Sequence, residues 1–373
     1  MPDWNRIRAQ FPALERWTFL NTATYGQTPR AASEAAMQHL AHRDELACSD
    51  FLTWFDDADC IRGRVAQLVR CEPDDVAFIG NAAIGLSLLI GGIDWKPGDR
   101  VVTLADEFPN NLYYPALLAG RGVEFVESPW EQFTSELKSG ARLVVLSTVN
   151  YTSGFRPPLE EVIDAAHHAG ALVCVDGTQS VGALMFDYAR LRPDMLVVDA
   201  YKWMLSPNGA GFMIVSEGVR SWLKPNVVGW RSHHGWRDVD RLHHGAPEFK
   251  TAAEKYEGGM LNFPSLYAMD ATIRMMLEIG REAIESRVLE MAAACRKTLR
   301  DLGANLTFDQ PPHYNSPVIA ARFEGRDASA LARELKARRV LVAARHGNLR
   351  VSTHFYNNEE DLERLFAELK SLL

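Results

Sequence analysis

The stretch that decides the fold is Ala171–Val215, ALVCVDGTQSVGALMFDYARLRPDMLVVDAYKWMLSPNGAGFMIV. It holds three short apolar runs, Ala171–Val175, Met195–Val198 and Gly211–Val215, each bounded by turn-forming residues. Strands buried on both faces read this way. The first run ends in Asp176 and the second is followed by Lys202. Ligand crevices of open α/β sheets lie at the carboxyl ends of strands, so this layout can bring a carboxylate and an amine to one rim.

Away from this stretch, strand and helix signals alternate. Val76–Ile79, Arg100–Leu104, Val123–Val126 and Leu143–Leu146 read as strands, with helical stretches near 111–120 and 158–168. Asn81 to Gly85 opens another helix. Before these, Phe19-Leu20-Asn21 leads into a turn, Thr22 to Pro29, and residues 30–57 read as one helix. The next helix puts Ala58, Ile61, Val65, Leu68 and Val69 on one face. The alternation predicts an α/β protein with βαβ units around a large, mostly parallel sheet.

After Val215 the pattern loosens into polar, Gly- and His-rich segments, Gly229–Trp236 and Arg241–Glu248. Irregular stretches of this length inside a compact protein are usually functional or interfacial. Helical character returns from about Ser265 to Leu302. A second α/β unit follows: strand Val318–Phe323, helix Ala328–Arg338 capped by Asp327, strand Leu349–Ser352 and a closing helix. That helix carries Leu362, Leu365, Phe366, Leu369 and Leu372 on one face, and Asn357 with Glu360 reads as its capping box. The predicted division is a large domain, 20–255, and a small carboxyl-terminal one, 256–373, with the amino-terminal arm 1–19 packed beside the latter.

With 373 residues, 47% hydrophobic and 24% charged, the chain reads as an ordinary globular protein long enough for two domains. A net charge of −8 gives no footprint for nucleic acid or an anionic membrane. Cys48, Cys60, Cys71, Cys174 and Cys295 are scattered and never spaced as CxxC, so they read as reduced thiols. The start, MPDWNRIRAQFPAL, has no apolar run of signal-peptide length, and no window approaches a membrane span. A cytoplasmic location is expected.

Lys202, flanked by Tyr201 and Trp203 after a buried strand, has two readings. It is either a desolvated, nucleophilic amine or a lysine that snorkels to the surface beside an aromatic. Asp176 is either a turn acid before Gly177 or a carboxylate that keeps a pyridine nitrogen protonated, as pyridoxal phosphate chemistry requires. Gln179 could reach the same ligand. Gly80-Asn81-Ala82-Ala83 lies between a strand and a helix, where free N–H groups and the helix dipole favour a phosphate. Arg350, in LRVST, either grips a carboxylate bidentately or is a surface strand arginine. The doublets His233-His234 and His243-His244 lack metalloprotease-type spacing. They are expected to contact substrate, from this subunit or its neighbour, and not to hold a metal.

Taken together, VDGTQSVGA, VVDAYKWMLSPNGAGFMIV, Tyr256-Glu-Gly-Gly-Met-Leu-Asn262 and LRVSTHFYNNEEDLERL resemble the class V group of fold-type I pyridoxal-phosphate enzymes. That group includes aminotransferases, cysteine desulfurases, kynureninases and isopenicillin-N-epimerase-like proteins. The likeness runs in order from LNTATYG to the closing helix and implies a seven-stranded-type sheet in the large domain. It implies pyridoxal 5′-phosphate as cofactor, joined to Lys202 as a Schiff base, with Asp176 at the pyridine nitrogen and Gln179 at the ring hydroxyl. Phe108 would stack on the ring; Asn81, Ala82 and Ala83 would form the phosphate turn, with Tyr201 adding a hydrogen bond. Tyr151 and Gly259 are implied as further cofactor contacts. Arg350, with Asn21 and Tyr25, would bind the substrate.

The resemblance also implies a homodimer with shared active sites that acts on an amino acid or a related amine. Aminotransfer is the first expectation; β-lysis, kynureninase-like cleavage and epimerisation follow, with a non-catalytic binding protein as the rival. Three departures matter. Asp199 stands where desulfurases place a phosphate-binding serine; an acid beside a dianion is unfavourable, so it is expected to face elsewhere. Met260 replaces a threonine that in many relatives reaches the neighbour's phosphate, which leaves that contact open. The segment from Val342 to Arg350 is short and lacks the cysteine that desulfurases carry just before this arginine. His354 and Tyr356 are expected only to fix the Arg350 strand.

Overall fold

The computed structural model describes residues 2–308 and 315–373. A seven-stranded sheet runs in the order Val76–Ile79, Gly211–Val215, Met195–Asp199, Leu172–Asp176, Leu143–Ser147, Arg100–Leu104, Glu124–Ser128. Every pairing is parallel except the two made by Gly211–Val215. The three runs that decided the fold are fully or almost fully buried strands, as their unbroken apolar character requires. Their side chains alternate between two cores. Val173, Val175, Leu196, Val198, Phe212 and Ile214 enter one; Cys174, Met195, Val197, Met213 and Val215 enter the other, under the helix Ala82–Gly92.

The second unit is a four-stranded antiparallel sheet, in the order Ala343–Arg345, Asn348–Ser352, Val318–Arg322, Asn305–Leu306. It packs its apolar face on Arg281–Asp301 and Glu359–Leu372, burying Cys295, Leu299, Leu349, Val351, Leu365 and Leu369. The amino-terminal arm joins this side: Thr18–Phe19 pairs in parallel with Val340–Leu341, and Arg8 forks onto Asp361 at 2.8 and 3.0 Å. The helix Phe263–Ile279 packs on Arg30–Leu46 and Phe51–Val69, against the large sheet's core. The division we propose keeps 20–255 and 256–373, with Phe263–Ile279 as the helix the two share. Among the described residues, no helix is long and apolar enough to cross a membrane.

Four local expectations change. The single helix expected over 30–57 ends at Leu46, and a new one starts at Phe51. Ala47 and Cys48 take left-handed backbone angles, and His42 closes the corner on Asp50 at 2.7 Å. The helical stretch over 265–302 is two helices split at Gly280, whose φ of 93° a residue with a Cβ rarely adopts. Trp130–Lys138, given no element from the sequence, is an amphipathic helix that buries Phe133 and Leu137. The capping box of the last helix is Asn358 with Asp361. The expected Asn357 is buried instead, donating to Phe19 O at 2.9 Å and Asp361 at 2.8 Å.

Candidate active site

The carboxyl ends of the strands converge on one rim. Leu172–Asp176 and Leu143–Ser147 are in register there, Ser147 opposite Asp176. Arg100–Leu104 delivers Glu107 and Phe108; Met195–Asp199 delivers Asp199 and, beyond it, Lys202. Val76–Ile79 ends beside Asn81, whose side chain caps the next helix by accepting from Ile84 N–H. Lys202 is 6% exposed, with Nζ 5.1 Å from the Phe108 ring centre and 5.5 Å from that of Tyr201. Burial pulls its pKa below the usual lysine value against the attraction of Asp176 and Asp199. Its amine has no hydrogen-bond partner among the described residues.

Asp176 is equally buried and accepts from Thr178 N–H at 2.9 Å; burial raises its pKa, opposed by Thr178 and Lys202. Gln179 donates to Ala23 O at 3.1 Å and accepts from Trp203 Nε1 at 2.9 Å, tying the turn after Asp176 to the lysine segment. Phe108 is half-buried, with the Tyr151 ring edge-on at 5.2 Å. Tyr201 packs on Tyr25 at 4.9 Å, and burial with Asp199 nearby pushes its hydroxyl up to about 12. Tyr25 in turn bonds Asn208.

Arg350 is 1% exposed and has no carboxylate partner among the described residues. Its guanidinium donates to Tyr151 O at 2.6 Å, to Asn21 at 3.4 Å and to Thr24 Oγ1, leaving Nε unpaired. Burial, with Arg345 adding repulsion, lowers its pKa to about 9. A buried guanidinium without a counter-ion is costly, and an incoming carboxylate would supply one.

Two expectations are corrected here. Asp199 does not face elsewhere: it accepts the Ala82 N–H at 2.8 Å, in the turn expected to take a phosphate. The amide offered by a helix start attracts the nearest buried acid, and Asp199 stands at the adjacent strand end. His354 does more than steady the Arg350 strand. Fully buried, it stacks on Trp203 and bonds the Trp203 carbonyl at 2.9 Å, one residue from Lys202. Tyr356 meets Thr22 Oγ1 at 2.6 Å.

Gly259 lies on a separate turn, its carbonyl held by Arg231 at 3.1 Å, and Met260 is 56% exposed. The histidines stack on one another, His233 on His243 at 4.3 Å, and His234 pairs with Glu248. No group of His, Cys, Asp and Glu among the described residues could hold a metal.

Sequence reading missed several neighbours. Glu107 is 4% exposed, accepts from Ser147 N–H at 2.6 Å and from Asn111 at 3.0 Å, and has its pKa raised by burial. An acid at a strand's carboxyl end, next to Phe108, was the available signal. Thr178 Oγ1 accepts from Asp199 N–H at 3.0 Å, and Thr24 meets Arg350. Neither had a local signal.

The family model for aminotransferase class-V matches residues 27–365. The chain belongs to that family. Similar curated proteins include isopenicillin N epimerase of Streptomyces clavuligerus, 27% identical, covering 99% of this chain and 98% of that one. Others are a probable cysteine desulfurase of Methanothermobacter thermautotrophicus, 24% identical over 98% and 97%, and the uncharacterized aminotransferase YcbU of Bacillus subtilis, 24% over 98% and 96%. Among solved structures, the apo cysteine desulfurase of Thermococcus onnurineus NA1 superposes with a TM-score of 0.89 at 21% identity, covering 100% and 98%. A C-DES variant with glycine covalently linked to its PLP cofactor gives 0.88 at 21%, covering 99% of each chain. These structures share the fold, a fold-type I α/β architecture.

The chain is thus a class V enzyme, and pyridoxal 5′-phosphate is its cofactor. The residues present fit the ring end of that group: an unpaired buried amine at Lys202, a buried carboxylate at Asp176 and an aromatic face at Phe108. At the phosphate end the fit includes an acid, Asp199.

Proposed function

We propose that the protein is a homodimeric aminotransferase acting on an amino acid or a related small amine. The observation that carries this reading is the pairing of an unpartnered, desolvated Lys202 amine with a buried Arg350 that lacks a carboxylate. Arg350, with Asn21 and Tyr25 nearby, would hold the substrate carboxylate. Lys202 Nζ would be the cofactor's attachment point and, as a free amine, the base that moves the α-proton. Asp176 would stabilise a proton on the pyridine nitrogen, Gln179 would meet the ring hydroxyl, and Phe108 and Tyr151 would cover the ring. Asn81, Ala82, Ala83 and Tyr201 would hold the phosphate, and Gly259 would be a further cofactor contact. The bound cofactor supplies an electron sink for the substrate carbanion.

The homodimer is supported by apolar side chains left exposed, Ile84 at the helix start after Asn81 and Val227, Val228 and Met260 on loops. Epimerisation or β-lysis is the second reading, favoured by the names of the similar proteins. Desulfuration through a cysteine persulfide has less support. Cys174 and Cys295 are buried with raised pKa values, and the Val342–Arg350 segment has no thiol. The test is a spectral screen of amino acids against the purified protein loaded with pyridoxal 5′-phosphate, with product analysis with and without a keto-acid acceptor. Turnover that needs the acceptor supports aminotransfer; product formed without it assigns lysis or epimerisation. Lys202→Ala should lose the covalently bound cofactor's absorbance and all turnover, and retention of both would end the assignment.

A further inference from the structure

We propose that Asp199 makes the binding of the cofactor's phosphate depend on a proton, because its carboxylate holds the backbone donor that the phosphate needs. The inference rests on the reading of Asn81–Ala83 as the phosphate turn. Asp199 closes the strand Met195–Asp199, is 8% exposed, and accepts the Ala82 N–H at 2.8 Å. That amide opens the eleven-residue helix Ala82–Gly92, and the next free side chain, Asn81, is spent on Ile84 N–H. The backbone of Asp199 is held on both sides: its N–H donates to Thr178 Oγ1 at 3.0 Å, and the residue pairs with Gly211 in the neighbouring strand.

A phosphate dianion brought to Ala82 N–H therefore meets a carboxylate already there. Two anions around this one buried amide repel. The complex becomes favourable once one proton, taken from solvent, sits between a carboxyl oxygen of Asp199 and a phosphate oxygen. Asp199 then donates a hydrogen bond and no longer competes for one. The titratable groups that face Asp199 are Asp176, Lys202 and Tyr201. Asp176 favours the protonated form, Lys202 when charged opposes it, and the neutral Tyr201 hydroxyl can serve either. Burial followed by Asp176 already lifts the carboxyl to about 6 in the protein alone.

Binding coupled to uptake of one proton weakens about tenfold per pH unit above the titration of the free carboxyl. At pH 8, two units above that value, replacing the acid by its neutral isostere should tighten the cofactor up to about a hundredfold. The experiment is a titration of pyridoxal 5′-phosphate, and of pyridoxal without the phosphate, into the full-length protein from pH 5.5 to 8.5. Wild type, Asp199→Asn and Asp199→Ser are compared by cofactor absorbance, with phosphorus NMR of the holoenzyme reporting the phosphate's ionisation. Tighter binding of the phosphorylated cofactor by Asp199→Asn at pH 8, converging with wild type near pH 5.5, with pyridoxal unaffected, supports the proposal. An Asp199→Asn profile parallel to wild type, or weaker binding at pH 8, overturns it while leaving the phosphate turn in place. A wild type that binds the two forms equally well overturns both this inference and the phosphate reading beneath it. Should neither variant fold, a wild-type affinity for the phosphorylated form that does not fall relative to pyridoxal as pH rises overturns the proposal.

Discussion

Gly26 is the position where one added carbon tests the site's geometry most directly. A Cβ there would lie 1.9 Å from the Lys202 carbonyl oxygen, 3.0 Å from its carbonyl carbon and 2.9 Å from Leu205 Cδ2. Leu205 is the end of a side chain and can turn away; the Lys202 carbonyl is backbone and cannot. To reach an ordinary contact, the two segments must separate by roughly 1.5 Å. The same movement stretches the bond from Gly26 N–H to Tyr201 O, now 2.9 Å. Gly26 has no left-handed backbone angle, so the penalty is steric and not conformational. Overpacking of this kind costs about 1–3 kcal/mol of stability, while a displacement of about 1 Å at the reacting group costs on the order of a hundredfold in rate. Gly26→Ala is expected to fold, to melt lower than wild type, and to lose at least that factor in turnover with weakened absorbance of bound cofactor. Urea unfolding and steady-state kinetics on the same preparation separate the two effects. Wild-type turnover and stability together would refute the reasoning that the close approach of Gly26 sets the position of Lys202.

Arg350→Lys keeps the charge but not the fork, and is expected to raise KM for the amino acid by roughly 10- to 100-fold, the worth of one charged hydrogen bond. An unchanged KM would remove Arg350 from the substrate site. His354 is held neutral: Phe355 N–H donates to Nδ1 at 2.8 Å, so Nε2 carries the proton given to Trp203 O, and burial lowers the pKa to about 3. The folded value lies below the unfolded one of 6.5, so the unfolded chain protonates first as pH falls. Its contribution is therefore complete above about pH 6.5 and is lost down to about pH 3, at most about 5 kcal/mol in all. Urea titrations across that range should show a shallower pH dependence for His354→Gln; parallel curves would refute the assignment.

The large sheet was legible because its strands are short apolar runs with nothing else to do: Val173, Val175, Leu196 and Val198 leave no helical period to read. The helix break after Leu46 was not legible. It is made by Ala47 and Cys48 in left-handed conformations with no glycine or proline to mark it. In the site, Asp176, Gln179 and Lys202 could be read because a strand end brings each to the rim within one short stretch. Thr24, Gly26 and His354 could not. Their partners, Arg350, Lys202 and Trp203, lie more than a hundred residues away, and no local pattern encodes a contact of that range.

The charges at the rim explain why Asp199 was misread. An acid beside a phosphate is unfavourable only if both are ionised, and the sequence does not say where a proton would rest. The structure places Asp176, Glu107 and Asp199 in one buried neighbourhood, with Lys202 and Arg350 as the buried cations beside them. Burial raises all three carboxyls and lowers both cations, so the site alone already tends toward neutral forms. On the proposed function, a phosphate and a substrate carboxylate enter it. Arg350 can answer the carboxylate, and a protonated pyridine nitrogen can answer Asp176. Among these groups, nothing cationic is left for the phosphate and Asp199 together, and one proton between them is the least costly way to seat both.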